Sequence, residues 1–363
     1  MVDAERRLLS DGGYELAALD FENPTSSADS ISALTRAPWN RGAVHRTVAE
    51  AQRHRADVVH IHNTWFALSP AVVVGLRRAG FPVVVTFHNY RLVCVNALLF
   101  RDGQPCEVCV GRSTLPGIRH RCYRGSIGAS AMASLTIQVH RRRETWSNDL
   151  SVAVVLTEFA KKRLLLGDLP PDRTVVKPNF VADPGMRTHQ PSASTEVLFV
   201  GRLTREKGID RLLAAWQDAN LDGLELSVIG DVPETFPGNA VSPGVQVLGR
   251  VEPELVKAKM LKSRALVVPS VSYEGQPMVI LEALAAGLPV LHTDAGALGE
   301  TCGSGGLSIG DGGVEQMASA LHMLTDADLL DHLGVNGRHE FETRFSERTG
   351  LEALGRIYAQ AIA

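Results

Sequence analysis

The sequence predicts an α/β fold of two Rossmann-like domains with parallel sheets. Short apolar runs of strand length alternate with longer amphipathic stretches of helical period along the chain, which is typical of βαβ units. The chain has 363 residues, more than one hydrophobic core usually organises, so we expect two domains. A polar, proline-containing segment at 182–195 breaks the alternation and separates two halves of similar construction.

Each half contains several predicted strands, bounded by turn-forming residues. Those of the first half are predicted at 14–19, 57–62, 82–87 and 151–156. Those of the second half are predicted at 197–200, 224–229, 245–248, 265–268 and 289–292, with a short one at 307–309. The predicted organisation is a first domain over 1–181, a linker over 182–195, a second domain over 196–344 and a final helix over 345–363.

Charge and hydropathy exclude several classes of protein. The formal net charge is −3, so nothing in the overall charge favours nucleic acid as a partner. No apolar run is long enough to span a bilayer, and the first residues lack the layout of a signal peptide. We therefore expect a cytoplasmic protein.

A basic loop follows the first predicted strand of the second half. Gly201 and Arg202 come directly after that strand, and Lys207 stands just before an amphipathic helix. The carboxyl end of a parallel strand beside a helix N-terminus is where open α/β sheets bind ligands. Arginine and lysine suit a diphosphate there, and Gly201 lets the backbone approach it. Taken singly, the motif favours an ordinary basic loop over a phosphate site.

Two carboxylates bracket a Gly-Pro turn farther along the chain. Glu274 precedes the turn after the strand at 265–268, and Glu282 lies in the first turns of the next helix. Carboxylates accept hydrogen bonds from vicinal hydroxyls, and a helix N-terminus suits a phosphate or a polar sugar edge. From the spacing alone, a solvated loop carboxylate and a helix-capping carboxylate explain the pattern better than a ligand site does. The basic loop upstream favours a sugar-nucleotide site.

Together the two motifs resemble retaining glycosyltransferases of family 4, which have the GT-B architecture with the two sheets facing an interdomain cleft. The resemblance implies that Arg202 and Lys207 hold the donor diphosphate and that Glu282 binds the ribose hydroxyls. It places Glu274 beside the donor sugar and its leaving bond. It further implies contacts to sugar hydroxyls or phosphate from the turn residues Gly275, Gln276, Pro277 and Met278.

Two His-Asn pairs end apolar strands of the first half, His62-Asn63 and His88-Asn89. A histidine at a strand end is usually structural. For His88 the resemblance favours a hydrogen bond to the transferring sugar or to the leaving phosphate oxygen. His62 and Asn63 are weaker candidates for the acceptor side.

Glycosyl transfer builds negative charge on the departing diphosphate, and Arg202 and Lys207 can oppose it without a catalytic metal. The resemblance implies same-face attack by the acceptor hydroxyl, whose proton passes to the leaving phosphate. The sequence offers no clear nucleophile, and Glu274 is not assigned as nucleophile or base. The expected acceptor is a saccharide or a lipid-linked molecule in bacterial polysaccharide or glycolipid assembly.

Four of the five cysteines lie in a short insert with the spacing Cys94-x11-Cys106-x2-Cys109-x12-Cys122. This pattern is typical of a structural tetrathiolate zinc site, and a cytosolic location disfavours disulfides. The segment at 104–126 has little apolar material with which to order itself, so a metal would stabilise it. Four free thiols in a loop are the alternative.

Positive charge is concentrated near this insert. It comes from Arg112, Arg119, His120, Arg121 and Arg124, followed by the run His140-Arg141-Arg142-Arg143. Such a surface can attract anionic lipid or a lipid-linked diphosphate acceptor. A solvated helix face explains the same charges.

The chain departs from the family at its start. Family members begin with an apolar strand and a glycine-rich loop, whereas this sequence opens within the helix expected next. We expect the natural start to lie upstream; a rearranged first domain is the alternative. Besides a transferase, the sequence allows a sugar-nucleotide-binding protein without catalysis or another GT-B enzyme such as an epimerase.

Overall fold

The computed structural model describes residues 1–24, 27–233 and 243–363. The chain divides into two compact units. The first comprises 1–101, 106–177 and 351–363, and the second comprises 102–105 and 178–350.

Helices and strands alternate along the chain as predicted. The strands are β1 (Val59–His62), β2 (Val83–Phe87), β3 (Phe100–Arg101), β4 (Gln104–Pro105), β5 (Val152–Val155), β6 (Thr174–Val176), β7 (Glu196–Val200), β8 (Glu225–Ile229), β9 (Val245–Gly249), β10 (Ala265–Val268), β11 (Val290–His292) and β12 (Gly306–Ser308). The helices are α1 (Val2–Asp11), α2 (Ser27–Arg36), α3 (Arg41–Arg53), α4 (Ala71–Arg78), α5 (Leu115–Arg119), α6 (Ile127–Arg142), α7 (Thr145–Asn148), α8 (Glu158–Leu164), α9 (Ile209–Ala219), α10 (Pro253–Met260), α11 (Met278–Ala285), α12 (Leu298–Cys302), α13 (Val314–Leu321), α14 (Ala327–Glu340) and α15 (Glu347–Ile362).

The first unit contains a parallel sheet in the order β1-β2-β5-β6. Its central strands, β2 and β5, are short, rich in valine and buried except at Phe87, as expected for parallel strands covered on both faces. Leu9 of α1 and Leu354 and Ile357 of α15 pack on the sheet beside Val84 and Val154. The end of α15 is therefore part of the core of this unit.

The second unit contains a six-stranded parallel sheet in the order β12-β11-β10-β7-β8-β9. Alternate residues of β7 enter different cores: Val197 and Phe199 join one, and Leu198 joins the other. The strand therefore has apolar packing on both faces. Strand order reverses between β7 and β10, which makes this a doubly wound sheet with a switch point at that pair. The predicted fold class is confirmed.

The predicted strand at 14–19 is wrong. This segment has no regular structure, and Tyr14 and Leu16 are exposed. It lines a cavity of about 730 Å³ together with α1 and β1. Apolar alternation gives a strand only where a neighbouring strand pairs with it, and no strand in the described part of the chain pairs with this segment.

The segment predicted as a linker lies in the second unit. The Arg187 guanidinium donates to the carbonyl oxygens of Gly287 and Ser263, at 2.8 and 2.7 Å. Asp331 accepts hydrogen bonds from the backbone N–H and the hydroxyl of Ser192. The polar residues of this segment therefore form hydrogen bonds with the rest of the second unit. The two units divide at 177/178.

Candidate functional site

The loop after β7 lies at the switch point of the second sheet. Gly201 N–H donates to the Ile229 carbonyl, and Leu203 is buried. A short 3₁₀ turn over Arg205–Lys207 leads into α9 through Gly208, whose φ is +73°. Arg202 and Lys207 are thus held on one loop, between the end of β7 and the start of α9.

Lys207 and Glu274 are brought together from motifs that are 67 residues apart. Lys207 Nζ donates to Glu274 Oε1 at 2.6 Å, and the Ser270 hydroxyl donates to the same oxygen at 2.9 Å. The lysine and glutamate side chains are 24% and 15% exposed. The N–H of Val271 also donates to the Glu206 carbonyl, so the loops after β7 and β10 are joined by backbone and side chain.

Arg202 has a different environment. Its side chain is 62% exposed, and its nearest ion-pair partner is Glu206, at 3.5 Å. An exposed guanidinium forms such a pair weakly. Arg202 is therefore accessible to an anionic ligand, whereas Lys207 is engaged by Glu274.

The turn between the two glutamates is buried at Gln276 and Pro277 and half-buried at Gly275 and Met278. Gln276 is 8% exposed, and its side-chain oxygen accepts a hydrogen bond from the backbone N–H of Asn179 at 2.7 Å. Pro277 precedes α11, and Glu282 lies on that helix. Burial raises the pKa of Glu282, while the charge of Lys257 lowers it. Gln276 thus has a structural role here, besides any contact with ligand.

His62 and His88 lie together at the ends of β1 and β2. His62 Nδ1 is 3.1 Å from His88 Nε2, and the rings are stacked. Burial, followed by the charge of His62, lowers the pKa of His88 to about 4. His88 lines a cavity of about 40 Å³ with Asn63 and Asn89. Both asparagine side chains also accept backbone hydrogen bonds two residues on, which makes them turn formers.

Sequence reasoning missed a buried polar cluster beside these histidines. Glu5 and His60 contact His62, Tyr358 contacts His60, and Lys177 Nζ donates to Glu5 Oε2 at 2.9 Å. His60 is two residues before His62, so the period of a strand places both on one face. Glu5 and Lys177 are distant in sequence, and no local pattern connects them.

Within the described ranges, Glu5, His60 and His62 are the only group with three potential metal-ligand atoms within 4.8 Å of one another. The ammonium of Lys177 bonds the same carboxylate, and both ring nitrogens of His60 are engaged, by the Tyr358 and Thr86 hydroxyls. A cation would compete with all three contacts. The geometry favours a hydrogen-bonded network over a metal site.

None of the four cysteines of the insert forms a disulfide within the described part of the chain, and Cys109 lies close enough to the other three for their charges to act on it. Burial raises the pKa of the Cys109 thiol, and Cys94, Cys122 and Cys106 raise it further. Cys94 Sγ donates to Asn96 Oδ1 at 2.9 Å. Four thiols are a suitable donor set for zinc, but among the described residues no three of these sulfur atoms lie within 4.8 Å of one another.

The predicted basic cluster is only partly a surface. His140 is fully buried, where its ring nitrogens bond Thr145 and the Pro38 carbonyl. Arg141 pairs with Asp168 at 2.9 Å. The remaining members are exposed: Arg112, Arg119, His120, Arg121, Arg124, Arg142 and Arg143.

Solved structures show that the chain has the GT-B fold. A glycosyltransferase from Rickettsia africae superposes with a TM-score of 0.67 at 15% identity, covering 98% of this chain and 87% of that one. Sucrose-phosphate synthase from Thermosynechococcus elongatus gives 0.64 at 21% identity, covering 87% and 76%. HepE from Anabaena, solved with UDP, gives 0.62 at 15% identity, covering 87% and 81%.

Sequence comparisons add family information for the second unit. Residues 194–327 match the profile of the family described as glycosyl transferases group 1. An uncharacterised glycosyltransferase of Methanocaldococcus jannaschii is 32% identical over 171 residues, 45% of this chain and 47% of that protein. Glycogen synthase of Mycobacterium tuberculosis is 28% identical over 177 residues, 46% and 42%. The chain thus spans less than half the length of these relatives. Among the helices described, none is long and apolar enough to cross a membrane.

Proposed function

We propose that the protein is a retaining glycosyltransferase that moves a sugar from a nucleotide diphosphate sugar to a hydroxyl of a saccharide or lipid-linked acceptor. The observation that carries the proposal is the Lys207–Glu274 pair beside the exposed Arg202 at the switch point of a doubly wound sheet. The group 1 profile covers the same loops.

Arg202 and Lys207 oppose the negative charge that grows on the departing diphosphate. Bond breaking at the anomeric carbon leaves this charge on the phosphate oxygen, and the acceptor hydroxyl forms the new bond on the same face. Its proton passes to the leaving phosphate, so no enzymic base is required. Glu274 Oε1 already accepts from Lys207 and Ser270, which supports a role in holding the lysine rather than as a nucleophile.

A thermal-shift panel of UDP, GDP, ADP and their sugar conjugates tests the donor site. We expect one nucleotide series to stabilise the protein, and expect Arg202→Ala and Glu282→Ala to abolish that shift. Arg205→Ala is the matched control, because Arg205 is an exposed arginine of the same loop. A shift retained in both site variants, or none in the parent protein, would contradict the assignment.

Transfer itself is tested by incubating the stabilising sugar nucleotide with mixed saccharide and lipid-linked acceptors. Product with the donor's anomeric configuration supports the proposal, and inverted product contradicts retention. Binding without transfer or hydrolysis would indicate a sugar-nucleotide-binding protein. Conversion of the donor without an acceptor would indicate an epimerase.

Zinc in the cysteine insert is a separate proposal, supported by the proximity of the four thiols. Binding would draw the sulfurs together and convert the thiols to zinc-bound thiolates, with their protons released to solvent. We expect about one zinc per chain by elemental analysis after purification with zinc, and none in the Cys106→Ser/Cys109→Ser variant. Cys302→Ala is the control, since Cys302 lies in the core of the second unit. A zinc-free parent protein would refute the proposal.

Peripheral association with an anionic membrane from the cytoplasmic side is proposed from the exposed basic residues of the insert. Leu115 and Ile127 are 67% and 53% exposed among Arg119, Arg121 and Arg124, a combination suited to the lipid interface. We expect salt-sensitive flotation with anionic vesicles that Arg119→Glu/Arg121→Glu abolishes. Charge reversal of the exposed Arg77 and Arg78 on α4 should leave it intact; equal loss would mean a non-specific attraction.

A further inference from the structure

The buried cluster in the first unit leads from Lys177 through Glu5 and His62 to His88. Glu5 is 3% exposed, and Lys177 Nζ donates to its Oε2 atom. The other oxygen, Oε1, lies 3.0 Å from His62 Nε2. Among the described residues it has no well-aligned hydrogen-bond donor. A buried carboxylate oxygen without a donor costs free energy, so a neighbouring histidine ring must direct an N–H towards it.

The position of the proton on His62 follows from this contact. A carboxylate only accepts hydrogen bonds, and an unprotonated ring nitrogen only accepts as well. Two such lone pairs 3.0 Å apart would repel in a buried site, so His62 Nε2 carries the hydrogen. His60 Nδ1 is farther from the oxygen, at 3.4 Å, and contacts the Tyr358 hydroxyl at 2.9 Å. With one ring hydrogen, on Nε2, His62 has its lone pair on Nδ1.

The same donor–acceptor rule fixes the position of the hydrogen on His88. His62 Nδ1 accepts, and it lies 3.1 Å from His88 Nε2, so His88 Nε2 carries a hydrogen and His88 Nδ1 keeps the lone pair. We propose that Glu5 is a positioning residue that fixes this tautomer, so that His88 accepts a hydrogen bond from a ligand through Nδ1. A sugar hydroxyl can donate to that atom, whereas a phosphate oxygen cannot. This choice of ligand group rests on the proposed transferase function.

Lys177 gives the network its direction. In Glu5→Gln the amide oxygen will face the ammonium of Lys177, which only donates, leaving the amide NH₂ towards His62. His62 Nε2 must then accept, His62 Nδ1 becomes the donor and His88 Nε2 the acceptor. The substitution therefore reverses both tautomers while changing few atoms.

Nitrogen chemical shifts of the two rings test the assignment directly. Protein labelled with ¹⁵N in its histidine rings, assigned with His62→Gln and His88→Gln, should show the Nε2–H tautomer for both residues. Glu5→Gln should show Nδ1–H for both. Tyr358→Phe is the matched control: it removes a contact of His60 in the same cluster and should change neither tautomer.

Several results would overturn the proposal. They are an Nδ1–H His88 or a doubly protonated His62 in the parent protein, and unchanged tautomers in a folded Glu5→Gln. If that variant does not fold, the parent spectrum still decides the assignment. In transfer assays, Glu5→Gln should lower kcat/KM at least about tenfold and leave the Kd for the free nucleoside diphosphate unchanged. Loss of all transfer in the parent would refute the proposed function but not the tautomers.

Discussion

Lys207 is a partly buried cation whose partner, Glu274, is still less exposed. Replacing the lysine removes the opposite charge from that carboxylate, and a partly desolvated charge that loses its counter-charge destabilises a protein. We expect Lys207→Met to reduce the free energy of unfolding by about 1–2 kcal/mol, discounted for the partial exposure. Urea unfolding followed by Trp216, which lies in the core of the second unit, measures this.

A double-mutant cycle separates the pair from general damage. Adding Glu274→Gln to Lys207→Met removes the carboxylate charge that the lysine had balanced and keeps a group that can accept from Ser270. We expect the double variant to be more stable than Lys207→Met alone. Additive losses would mean that the ion pair contributes nothing measurable.

Substituting Gln276 tests whether this residue holds the turn or binds the ligand. Gln276→Ala leaves the buried N–H of Asn179 without its acceptor, which we expect to cost about 1–3 kcal/mol of stability. The Kd for the nucleotide, measured by calorimetry well below the unfolding temperature, should change less than about threefold. A large loss of affinity without a loss of stability would instead make Gln276 a ligand contact.

For individual residues, the sequence predicted some of the side chains that lie close together, but not all of their contacts. Lys207 and Glu274 were both predicted from motifs, and the structure joins them. Glu5 was not predicted, because a single glutamate in an amphipathic helix reads as a surface residue. Its burial depends on Lys177 and His62, and such a long-range contact leaves no periodic signal.

Among the elements, the loop after β7 depends on one glycine. Gly208 has a φ of +73°, and a Cβ there would lie 1.9 Å from the Pro269 carbonyl oxygen. We expect Gly208→Ala to destabilise the second unit, because the backbone of the β10 loop must move. Gly223→Ala is a matched control: its φ is +76°, and a Cβ there meets nothing within 4 Å.

The comparison isolates the close contact from the backbone conformation. Both variants lose the left-handed freedom of glycine, worth about 1–2 kcal/mol. Gly208→Ala should lose at least about 2 kcal/mol more from the clash, and the thermal shift by nucleotide should weaken with it. Equal unfolding free energies for the two variants would show that stability does not depend on the close contact between Gly208 and the β10 loop.

Elements were predictable where the sequence pattern and the pairing agree. The buried strands β2, β5 and β10 appear within one residue of their predicted bounds, because apolar runs of that length have few alternatives. The segment at 14–19 has the same pattern without a partner strand and stays irregular. Strand β6, which pairs with β5, was not predicted, since three residues are too few to show a period.

At the scale of the molecule, strand order explains why the two motifs meet. The motif after β7 and the motif after β10 are far apart in sequence, but β7 and β10 are neighbours in the centre of the sheet. Parallel strands place their carboxyl ends at the same edge, so both loops emerge there. The functional pair is thus a consequence of the topology of the second unit.

Buried histidines make the stability of the first unit depend on pH. Burial is the largest cause lowering the pKa of His88 and of His140, each to about 4 from an ordinary 6.5. Between these values the unfolded chain binds protons that the folded chain does not, so stability falls as the pH drops from 6.5 towards 4. Linkage gives about 2 kcal/mol lost per histidine by pH 5.

The prediction is tested by the slope of stability against pH rather than by its absolute value. Trp39 and Trp146 contact His140, so tryptophan fluorescence during urea unfolding reports its surroundings. His140→Gln removes one titrating group and should make the slope between pH 6.5 and 5 shallower by about 1 kcal/mol per pH unit, even if the variant is less stable throughout. His322→Gln in the second unit is the control, because His322 is exposed and should leave the slope unchanged. An unchanged slope in His140→Gln would mean that this histidine takes up its proton without unfolding.

The bonds of His140 to Thr145 and to the Pro38 carbonyl argue against that outcome. Nδ1 and Nε2 are both engaged, and only a neutral ring can accept from the Thr145 hydroxyl while it donates to that carbonyl.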